Sequence, residues 1–356
     1  MKSDQFPGSG DAGATVEDLR RVHDATARIR QQLQQTIVGQ AGVVDDLLTS
    51  LLAGGHCLLV GVPGLAKTLM VRSLAETLGL TFLRIQFTPD LMPADITGTD
   101  VIQEDKGTGS RTLKFLKGPV FANVVLADEI NRTPPKTQAA LLEAMQEHQV
   151  TISGERHPLP TPFFVLATQN PIEQEGTYPL PEAQLDRFML QVFVDYPSEE
   201  EEYAIVCQTT ATRAVNIAQV LSGEELIALQ GVVRQIPVAE HVIRYALALA
   251  RWTRREAPEA PEIIRKYVRW GAGPRASQYL VLAAKARAAL LGDGHVTPAH
   301  VRAVAKPVLR HRIMTNFHAE ADRMTADKIV DALAELVPLV PAAKSSLAPV
   351  AAVLRD

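Results

Sequence analysis

One eight-residue segment constrains the fold of this chain more than any other. Gly61-Val62-Pro63-Gly64-Leu65-Ala66-Lys67-Thr68 follows a short apolar run that ends at Val60, and an apolar pattern with helical period comes directly after it. A loop of this kind between a strand and a helix directs its backbone N–H groups and the helix dipole to one point, where they can hold phosphate. Lys67 would reach the β- and γ-phosphates of a nucleotide, and the Thr68 hydroxyl would ligate Mg²⁺.

The rest of the first half alternates short apolar runs with helical patterns, which is typical of a mostly parallel sheet flanked by helices. The five predicted strands are His56–Val60, Phe82–Phe87, Val124–Asp128, Phe163–Thr168 and Met189–Val194. Beyond Tyr196 the patterns are helical. We therefore predict an α/β domain over residues 16–196 and an α-helical domain over residues 197–337, with a disordered N-terminus (1–15) and a C-terminal tail (338–356).

Two insertions interrupt this alternation. Residues 88–117 contain several prolines and glycines and are long for a plain connection, so they are a candidate functional loop. Residues 149–153 alternate polar and apolar side chains, and Gly154 follows as a turn residue. The segment of about 149–160 is therefore predicted to be a projecting hairpin.

Composition excludes several classes of protein. The 356 residues include 46% hydrophobic and 21% charged side chains, which are values of a globular chain. No apolar run reaches the length of a membrane helix, and the polar, Gly-rich start has no apolar stretch of a secretion signal. The two cysteines, Cys57 and Cys207, are too few for a disulfide framework. We expect a soluble cytoplasmic protein without an integral membrane segment.

Two carboxylates end the third predicted strand. Asp128 would hold Mg²⁺, and Glu129 would orient or deprotonate an attacking water. Adjacent carboxylates would be costly to bury without a cation, although an exposed strand end would also accommodate them. Asn170 follows the next strand and could orient the water or touch the γ-phosphate, because ligands of open α/β sheets bind at the carboxyl edge. An ordinary Asn-Pro turn is the alternative.

Two arginines occupy positions whose role the local sequence does not explain. Arg187 lies just before the last predicted strand. Arg275 falls in the first turn of a predicted helix, where a cation opposes the helix dipole. A residue placed against its local preference indicates a use elsewhere, such as an anionic ligand. A surface ion pair is the alternative for each arginine.

Together these segments resemble the AAA+ ATPases, and most closely the MoxR family, over about Thr36 to Phe317. The motifs that carry the resemblance are the loop 61–68, the run 126–138 (LADEINRTPPKTQ), the run 180–188 (LPEAQLDRF) and the run 273–276 (GPRA). Ala66 stands where the general phosphate-loop pattern has glycine, and this departure is typical of the family. The implied fold is an AAA+ P-loop core with a mostly parallel five-stranded sheet, followed by an α-helical lid.

The resemblance also implies roles for single residues. Lys67 and Thr68 match Walker A, Asp128 and Glu129 match Walker B, and Asn170 matches sensor 1. Arg187 matches the arginine finger that reaches the nucleotide of a neighbouring subunit, and Arg275 matches sensor 2. Ile37–Gln40 looks like the linker that borders the adenine. The implied nucleotide contacts are Val38, Gly39, Gly61, Val62, Pro63, Gly64, Leu65, Ala66, Lys67, Thr68, Leu69 and Arg275, with Thr68 and Asp128 toward the metal.

The insertions at about 88–117 and 149–160 resemble the helix-2 insert and the pre-sensor hairpin, which face the axial channel of related rings. By resemblance we expect a homo-oligomer, a hexameric ring in which Arg187 acts in trans. Its ATP binding and hydrolysis, with Mg²⁺, would drive chaperone-like remodelling, maturation, or cofactor or metal insertion of a client protein. A von Willebrand factor A domain adaptor is the expected partner.

Two other functions remain open at this point. A nucleic-acid motor or loader could use the segment 231–318, which carries 15 Lys+Arg against 5 Asp+Glu. That segment could equally be a solvated or subunit-facing surface, and the net charge of −4 and the 5% aromatic content argue against a nucleic-acid partner. A nucleotide-gated scaffold is the third possibility, but a scaffold has no need of the hydrolytic carboxylate Glu129.

Overall fold

The computed structural model describes residues 14–104, 111–172, 176–210 and 216–339. The strands are β1 (Cys57–Val60), β2 (Phe82–Gln86), β3 (Gly98–Glu104), β4 (Arg111–Lys117), β5 (Val124–Asp128), β6 (Gln149–Ile152), β7 (Glu155–Pro158), β8 (Phe164–Gln169), β9 (Leu190–Phe193), β10 (Val268–Trp270) and β11 (Met314–Thr315). The expectations for the first thirteen residues, for the tail from 340 onward and for residues 105–110 of the first insertion lie outside the described residues.

The first two helices lie on either side of the segment 37–40, and most of the others belong to the second half of the chain. They are α1 (Val16–Leu33), α2 (Ala41–Ala53), α3 (Lys67–Thr77), α4 (Pro93–Thr97), α5 (Pro135–Glu147), α6 (Glu182–Leu185), α7 (Glu199–Thr209), α8 (Gly223–Gln235), α9 (Glu240–Trp252), α10 (Glu262–Tyr267), α11 (Pro274–Leu291), α12 (Pro298–Leu309), α13 (Phe317–Ala321) and α14 (Ala326–Leu336). None of the helices in these described stretches is long and apolar enough to cross a bilayer.

The five predicted strands form one parallel sheet in the order β2-β5-β8-β1-β9. This confirms the predicted α/β architecture, and each strand lies within one or two residues of its predicted bounds. Because the strands are parallel, their carboxyl ends meet at one edge of the sheet. Val60 is paired there with Gln169, and Gln86 with Asp128.

Two apolar clusters cover the two faces of this sheet. One cluster packs α5 and the base of the first insertion against side chains such as Leu58 and Val125. The other joins α1, α2 and α3 to the helices of the second half through side chains such as Leu59 and Leu280. The helical region therefore shares a core with the sheet domain, and the division at residue 196 stays a prediction from the sequence.

Both insertions contact α5, the first through α4 and the second through β6. The first contains α4 and the antiparallel pair β3–β4, and the second is the antiparallel hairpin β6–β7. The Ser153 hydroxyl at the hairpin turn donates to Asp100 Oδ2 over 2.6 Å. The two insertions are therefore in contact with each other.

Candidate nucleotide-binding site

The loop after β1 adopts the strained backbone that a phosphate-binding turn requires. Gly64 has φ +87°, and Ala66 has φ +54° immediately before α3 begins at Lys67. The left-handed conformation of Ala66 costs a non-glycine residue roughly 1 kcal/mol or more. The turn thereby presents the first N–H groups of α3, which have no partners within the helix, to the space in front of the loop.

That space is a cavity of about 420 Å³ at the carboxyl edge of the sheet. It is lined by Pro63, Gly64, Leu65, Ala66, Lys67, Thr68, Leu69, Arg84, Asp128, Glu129, Thr168, Gln169 and Asn170. Residues from the loop, from α3 and from three strands thus meet where the topology of an open α/β sheet places a ligand. The structure brings together Lys67, Thr68, Asp128, Glu129 and Asn170 from the predicted set.

The Lys67 ammonium bends back onto its own loop. It donates to the backbone carbonyls of Gly61 and Val62, the second over 2.7 Å. Burial lowers the pKa of Lys67, and the nearby carboxylates of Asp128 and Glu129 act in the opposite direction. Its present acceptors are neutral carbonyls, and negatively charged phosphate oxygens would bind the ammonium more strongly.

Asp128 is buried, and both of its carboxylate oxygens accept hydrogen bonds. Oδ1 accepts from the Thr168 hydroxyl over 2.5 Å, and Oδ2 accepts from Arg84 Nε over 2.9 Å and lies 2.6 Å from Arg84 Nη2. Thr168 belongs to β8 and Arg84 to β2, so Asp128 is held from the strands on both sides of β5.

Glu129 follows directly in a left-handed conformation, with φ +57°. Its N–H donates to the Thr168 hydroxyl over 2.8 Å, and its carboxylate accepts from Gln86 Nε2 over 2.7 Å. Arg132 Nη1 lies 3.1 Å from the same carboxylate oxygen. A non-glycine residue held at positive φ beside a cavity is the kind of local strain that marks functional positions.

Asn170 ends the same row of polar side chains. Its side chain is largely buried, and its Oδ1 accepts from the N–H of Ile172 over 3.2 Å. The turn that the sequence allowed is therefore present, and it leaves the NH₂ group as the donor for a ligand in the cavity.

The remaining predicted nucleotide contacts lie beside the cavity. Gly61 packs against Val194, whose carbonyl oxygen would lie 2.5 Å from an added Cβ, so glycine is required there. Val38 and Gly39 do not line the cavity, and the Glu201 carboxylate of α7 lies too close to Gly39 for a side chain to fit at that position.

The two predicted arginines lie elsewhere. Arg187 and Arg275 line a separate cavity of about 200 Å³ with Tyr279, His148 and residues 54–56, which precede β1. This is the amino edge of the sheet. Since β1 has four residues at about 3.3 Å each, the two edges are about 13 Å apart. The structure does not place Arg275 in the cavity of its own chain, because α11 packs against α2 and begins at the opposite edge.

A buried ion pair organises this amino edge. Arg312, whose side chain is 2% exposed, donates to Asp186 Oδ1 over 2.7 Å and to the backbone carbonyls of Asp186, Phe188 and Met189. The other carboxylate oxygen of Asp186 lies 3.2 Å from Arg275 Nη1. Arg187 itself has no ion pair with any described residue, so its guanidinium is available to an anion from outside.

Reasoning from the sequence missed several residues of the site. Arg84 and Gln86 are two positions apart on β2, and Thr168 is the next-to-last residue of β8. Two polar side chains at positions i and i+2 of an otherwise apolar strand were the available signal. The signal was weak, since its meaning depends on β2 being the neighbour of β5.

The donor set fits a magnesium nucleotide. Mg²⁺ prefers hydroxyl, carboxylate and phosphate oxygens and seldom takes an all-protein cage, and the cavity offers it Thr68 and Asp128. The left-handed Ala66 and the first turn of α3 offer N–H groups to the phosphates.

Comparison with known proteins agrees with this geometry. Residues 56–190 match the model of the ATPase family associated with various cellular activities, and residues 260–333 match the model of the AAA lid domain. The protein "Chaperone MoxR1" of Mycobacterium tuberculosis is 42% identical over 94% of this chain and 86% of its own length. The chain belongs to the MoxR family of AAA+ ATPases.

Other relatives place the whole chain in this family. The MoxR protein of Paracoccus denitrificans is 33% identical over 90% of this chain and 99% of its own length. A crystal structure of a candidate ATPase from Cytophaga hutchinsonii is 40% identical, covers 90% of this chain and 97% of its own, and superposes with a TM-score of 0.83. The similarity therefore includes the lid helices as well as the sheet.

Proposed function

We propose that this MoxR-family protein binds ATP with Mg²⁺ in the cavity at the carboxyl edge, hydrolyses it, and uses the cycle to remodel a client protein. The observation that carries the proposal is the meeting of Lys67, Thr68, Asp128 and Glu129 in one cavity. A phosphate cradle alone supports binding, but a cradle beside two carboxylates supports hydrolysis.

The loop and the start of α3 bind the triphosphate. Their N–H groups donate to phosphate oxygens, and Lys67 leaves the carbonyls of Gly61 and Val62 to contact the β- and γ-phosphates. Thr68 and Asp128 would hold Mg²⁺, which supplies positive charge to the oxygens that gain charge in the transition state.

Glu129 orients the attacking water and accepts its proton, and Asn170 donates to the water or the γ-phosphate. Gln86 and Arg132 both contact Oε2 of Glu129, so Oε1 is the oxygen that would accept the proton. The left-handed backbone at Glu129 places the residue beside the cavity.

The reaction also requires a neighbouring subunit. Arg187 and Arg275 lie at the opposite edge of the sheet from the cavity of their own chain, and the two edges are about 13 Å apart. A second copy that docks its amino edge against this carboxyl edge would bring both arginines to the phosphates. We therefore propose a ring, with six subunits by resemblance to the family, in which both arginines act in trans.

The client is proposed to bind at the insertions. Ile102 and Leu113 of the β3–β4 pair are 69% and 74% exposed, although both are apolar. Exposed apolar side chains on a projecting hairpin are typical of a contact with another protein. A relative carries the name chaperone, and this supports the client role. A von Willebrand factor A domain adaptor and a cytoplasmic location complete the proposal.

The basic segment of the lid gives little support to a nucleic-acid motor. Seven of its fifteen cations are ion-paired with carboxylates inside the chain: Arg244, Lys266, Arg275, Arg287, Lys306, Arg310 and Arg312. The local excess of positive charge is thus partly neutralised by carboxylates from outside that segment, including Asp45, Asp186 and Asp327. Less charge remains free for a polyanion than the sequence count indicates.

The test is the Glu129→Gln variant. We expect it to bind ATP as the parent protein does, and to release phosphate at least about a hundred-fold more slowly, because the base is lost. With ATP it should retain client and adaptor in a pull-down. The matched control is Glu147→Gln, at the exposed end of α5, which should turn over normally. Normal phosphate release by Glu129→Gln would require a different base.

A further inference from the structure

One cation at the cavity has no part in the chemistry proposed above. Arg84 stands on β2 with its side chain 48% exposed, and it lies 2.6 Å from Asp128 Oδ2 through Nη2 and 2.9 Å through Nε. The Thr168 hydroxyl occupies the other oxygen, Oδ1. Both oxygens of the Asp128 carboxylate therefore already have a partner.

We propose that Arg84 is an internal counter-ion for Asp128 that the metal of the nucleotide must displace, so that Arg84 sets the Mg²⁺ concentration at which nucleotide binds. This rests on the proposed role of Asp128 in holding the metal, and it adds a residue that opposes metal binding.

Burial makes a counter-ion necessary. The Asp128 side chain is 12% exposed, and a buried carboxylate without a cation is strongly unfavourable. When the cavity holds no metal, the guanidinium supplies that charge. When a divalent ion binds Asp128, two cations would compete for the same carboxylate, and like charges at this separation repel each other.

The surroundings of Arg84 allow it to leave. β2 is an edge strand of the sheet, so the half-exposed guanidinium has solvent to enter. Nη2 also donates to Gln86 Oε1 over 2.5 Å, and this neutral acceptor on the same strand can retain the side chain nearby. Arg312 at the opposite edge is different, because it is 2% exposed and donates to several core carbonyls.

The alternative is that Arg84 orients Asp128 toward the metal and assists its binding. The two roles predict opposite effects on the Mg²⁺ concentration needed for nucleotide binding when Arg84 is removed. A competing cation raises the Mg²⁺ concentration needed for nucleotide binding, so removing it lowers that concentration. An orienting cation lowers the required concentration, so removing it raises that concentration.

The experiment measures binding of a fluorescent ATP analogue to the full chain as Mg²⁺ is titrated. For Arg84→Gln we expect the half-saturating Mg²⁺ concentration to fall about ten-fold, the effect of one charge-assisted hydrogen bond. The matched control is Arg72→Gln, which removes an exposed arginine paired with Glu76 outside the cavity and should leave the midpoint unchanged. An unchanged or higher midpoint for Arg84→Gln overturns the proposal, as does binding of nucleotide to the parent protein without any dependence on Mg²⁺.

A second variant covers a failure of Arg84→Gln to fold. Arg84→Lys keeps the charge but loses the two-donor fork, so its midpoint should fall about two- to three-fold, less than that of Arg84→Gln. A midpoint at or above that of the parent protein contradicts the proposal. If the parent protein binds no nucleotide at any Mg²⁺ concentration, the proposed function fails; if it binds and these midpoints do not move, only the role of Arg84 fails.

Melting temperatures give an independent measurement. In EDTA, Arg84→Gln should melt below the parent protein, because Asp128 has lost its cation. With Mg²⁺ and nucleotide the gap should close, since the metal then replaces the guanidinium. An equal loss of melting temperature in both conditions indicates a merely structural role and overturns the proposal.

Discussion

The two edges of the five-stranded sheet hold their charged side chains in different ways. At the carboxyl edge, Lys67 is held by backbone carbonyls, and Asp128 by a half-exposed arginine. At the amino edge, the buried Arg312 binds Asp186 and the carbonyls around it. The first set of partners can be exchanged for a ligand, whereas the second set is a fixed support that presents Arg187 and Arg275 outward.

In the proposed ring this difference would divide the work of each subunit. The carboxyl edge would change partners in each cycle, and its contacts are exposed or neutral. The amino edge would keep its shape while it reaches a neighbour, and its contacts are buried and numerous. Each chain would then carry two incomplete halves of a site on opposite edges, and the following experiments test that division.

The largest effect is expected from Arg187→Ala. Loss of an arginine finger should lower turnover roughly a thousand-fold or more while the chain still binds nucleotide at its intact loop. Phosphate release and analogue binding measure the two properties, with exposed Arg20→Ala on α1 as the control. Mixing Arg187→Ala with Lys67→Ala should restore some activity, because one chain supplies the loop and the other the arginine. Mixed rings without any turnover would contradict a role in trans.

Next in size is the loss of the buried support. Arg312→Leu removes the donor to three core carbonyls and leaves the half-buried Asp186 with Arg275 as its remaining ion-pair partner, so it should lower the free energy of unfolding by about 2 to 4 kcal/mol. Urea unfolding provides the measurement. Arg244→Leu in the same lid removes only an exposed pair with Glu240 and should cost less than about 1 kcal/mol. Similar losses for the two variants would mean that the amino edge is no more fixed than the surface.

A smaller effect is expected from Lys67→Ala. The variant should bind the ATP analogue about ten- to a hundred-fold more weakly, since one charge-assisted contact to phosphate is lost. Its unfolding free energy should change little, because Lys67 now contacts only neutral carbonyls. Lys136→Ala, exposed at the start of α5, is the control. Unchanged affinity would exclude the loop as the phosphate site.

The smallest effect concerns a cavity of about 600 Å³ where the lid meets the carboxyl edge. Burial raises the pKa of Asp46 in this cavity from 3.8 to about 6, while Arg287 and Arg310 oppose the shift. The folded state therefore binds more protons than the unfolded state. The stability that Asp46 contributes is full below about pH 4 and is lost as the pH rises through about 6.

Asp46→Asn should consequently stabilise the chain at pH 8 by about 1 to 2 kcal/mol, and the gain should vanish near pH 4. Thermal or urea unfolding across this range measures it. The neighbouring Asp45, paired with Arg30 and Arg287, is the control, because Asp45→Asn should destabilise the chain at pH 8. A gain that does not depend on pH would show that Asp46 does not titrate in this range.

Much of the fold could be predicted from the sequence because its signals are local. The apolar runs of β1, β5 and β8 are short, almost entirely buried and followed by helices or turns, which is typical of parallel strands. The segments predicted to bind phosphate and metal could be found for the same reason, since strand, loop and helix lie within about twenty residues.

The partners of the site residues were harder to predict. Arg84 gains its meaning from Asp128, 44 positions later, and only because β2 and β5 are neighbours in the sheet. For the segment 231–318, the excess of positive charge could be counted from the sequence. The ion pairs of its arginines with Asp45 and Asp186 could not be predicted, because these carboxylates lie far away in the sequence.

The sequence by itself determined the glycine-containing loop between β1 and α3, the adjacent carboxylates of Asp128 and Glu129 at the end of β5 and the class of fold, because short-range geometry is set by neighbouring residues. Only the tertiary structure decided which edge each charge occupies. Arg312 lies 126 positions from Asp186, and the packing of α11 and α12 on the core carries Arg275 and Arg312 to the amino edge. A charge acts through its distance to other charges, and over such separations that distance is a property of the packed molecule.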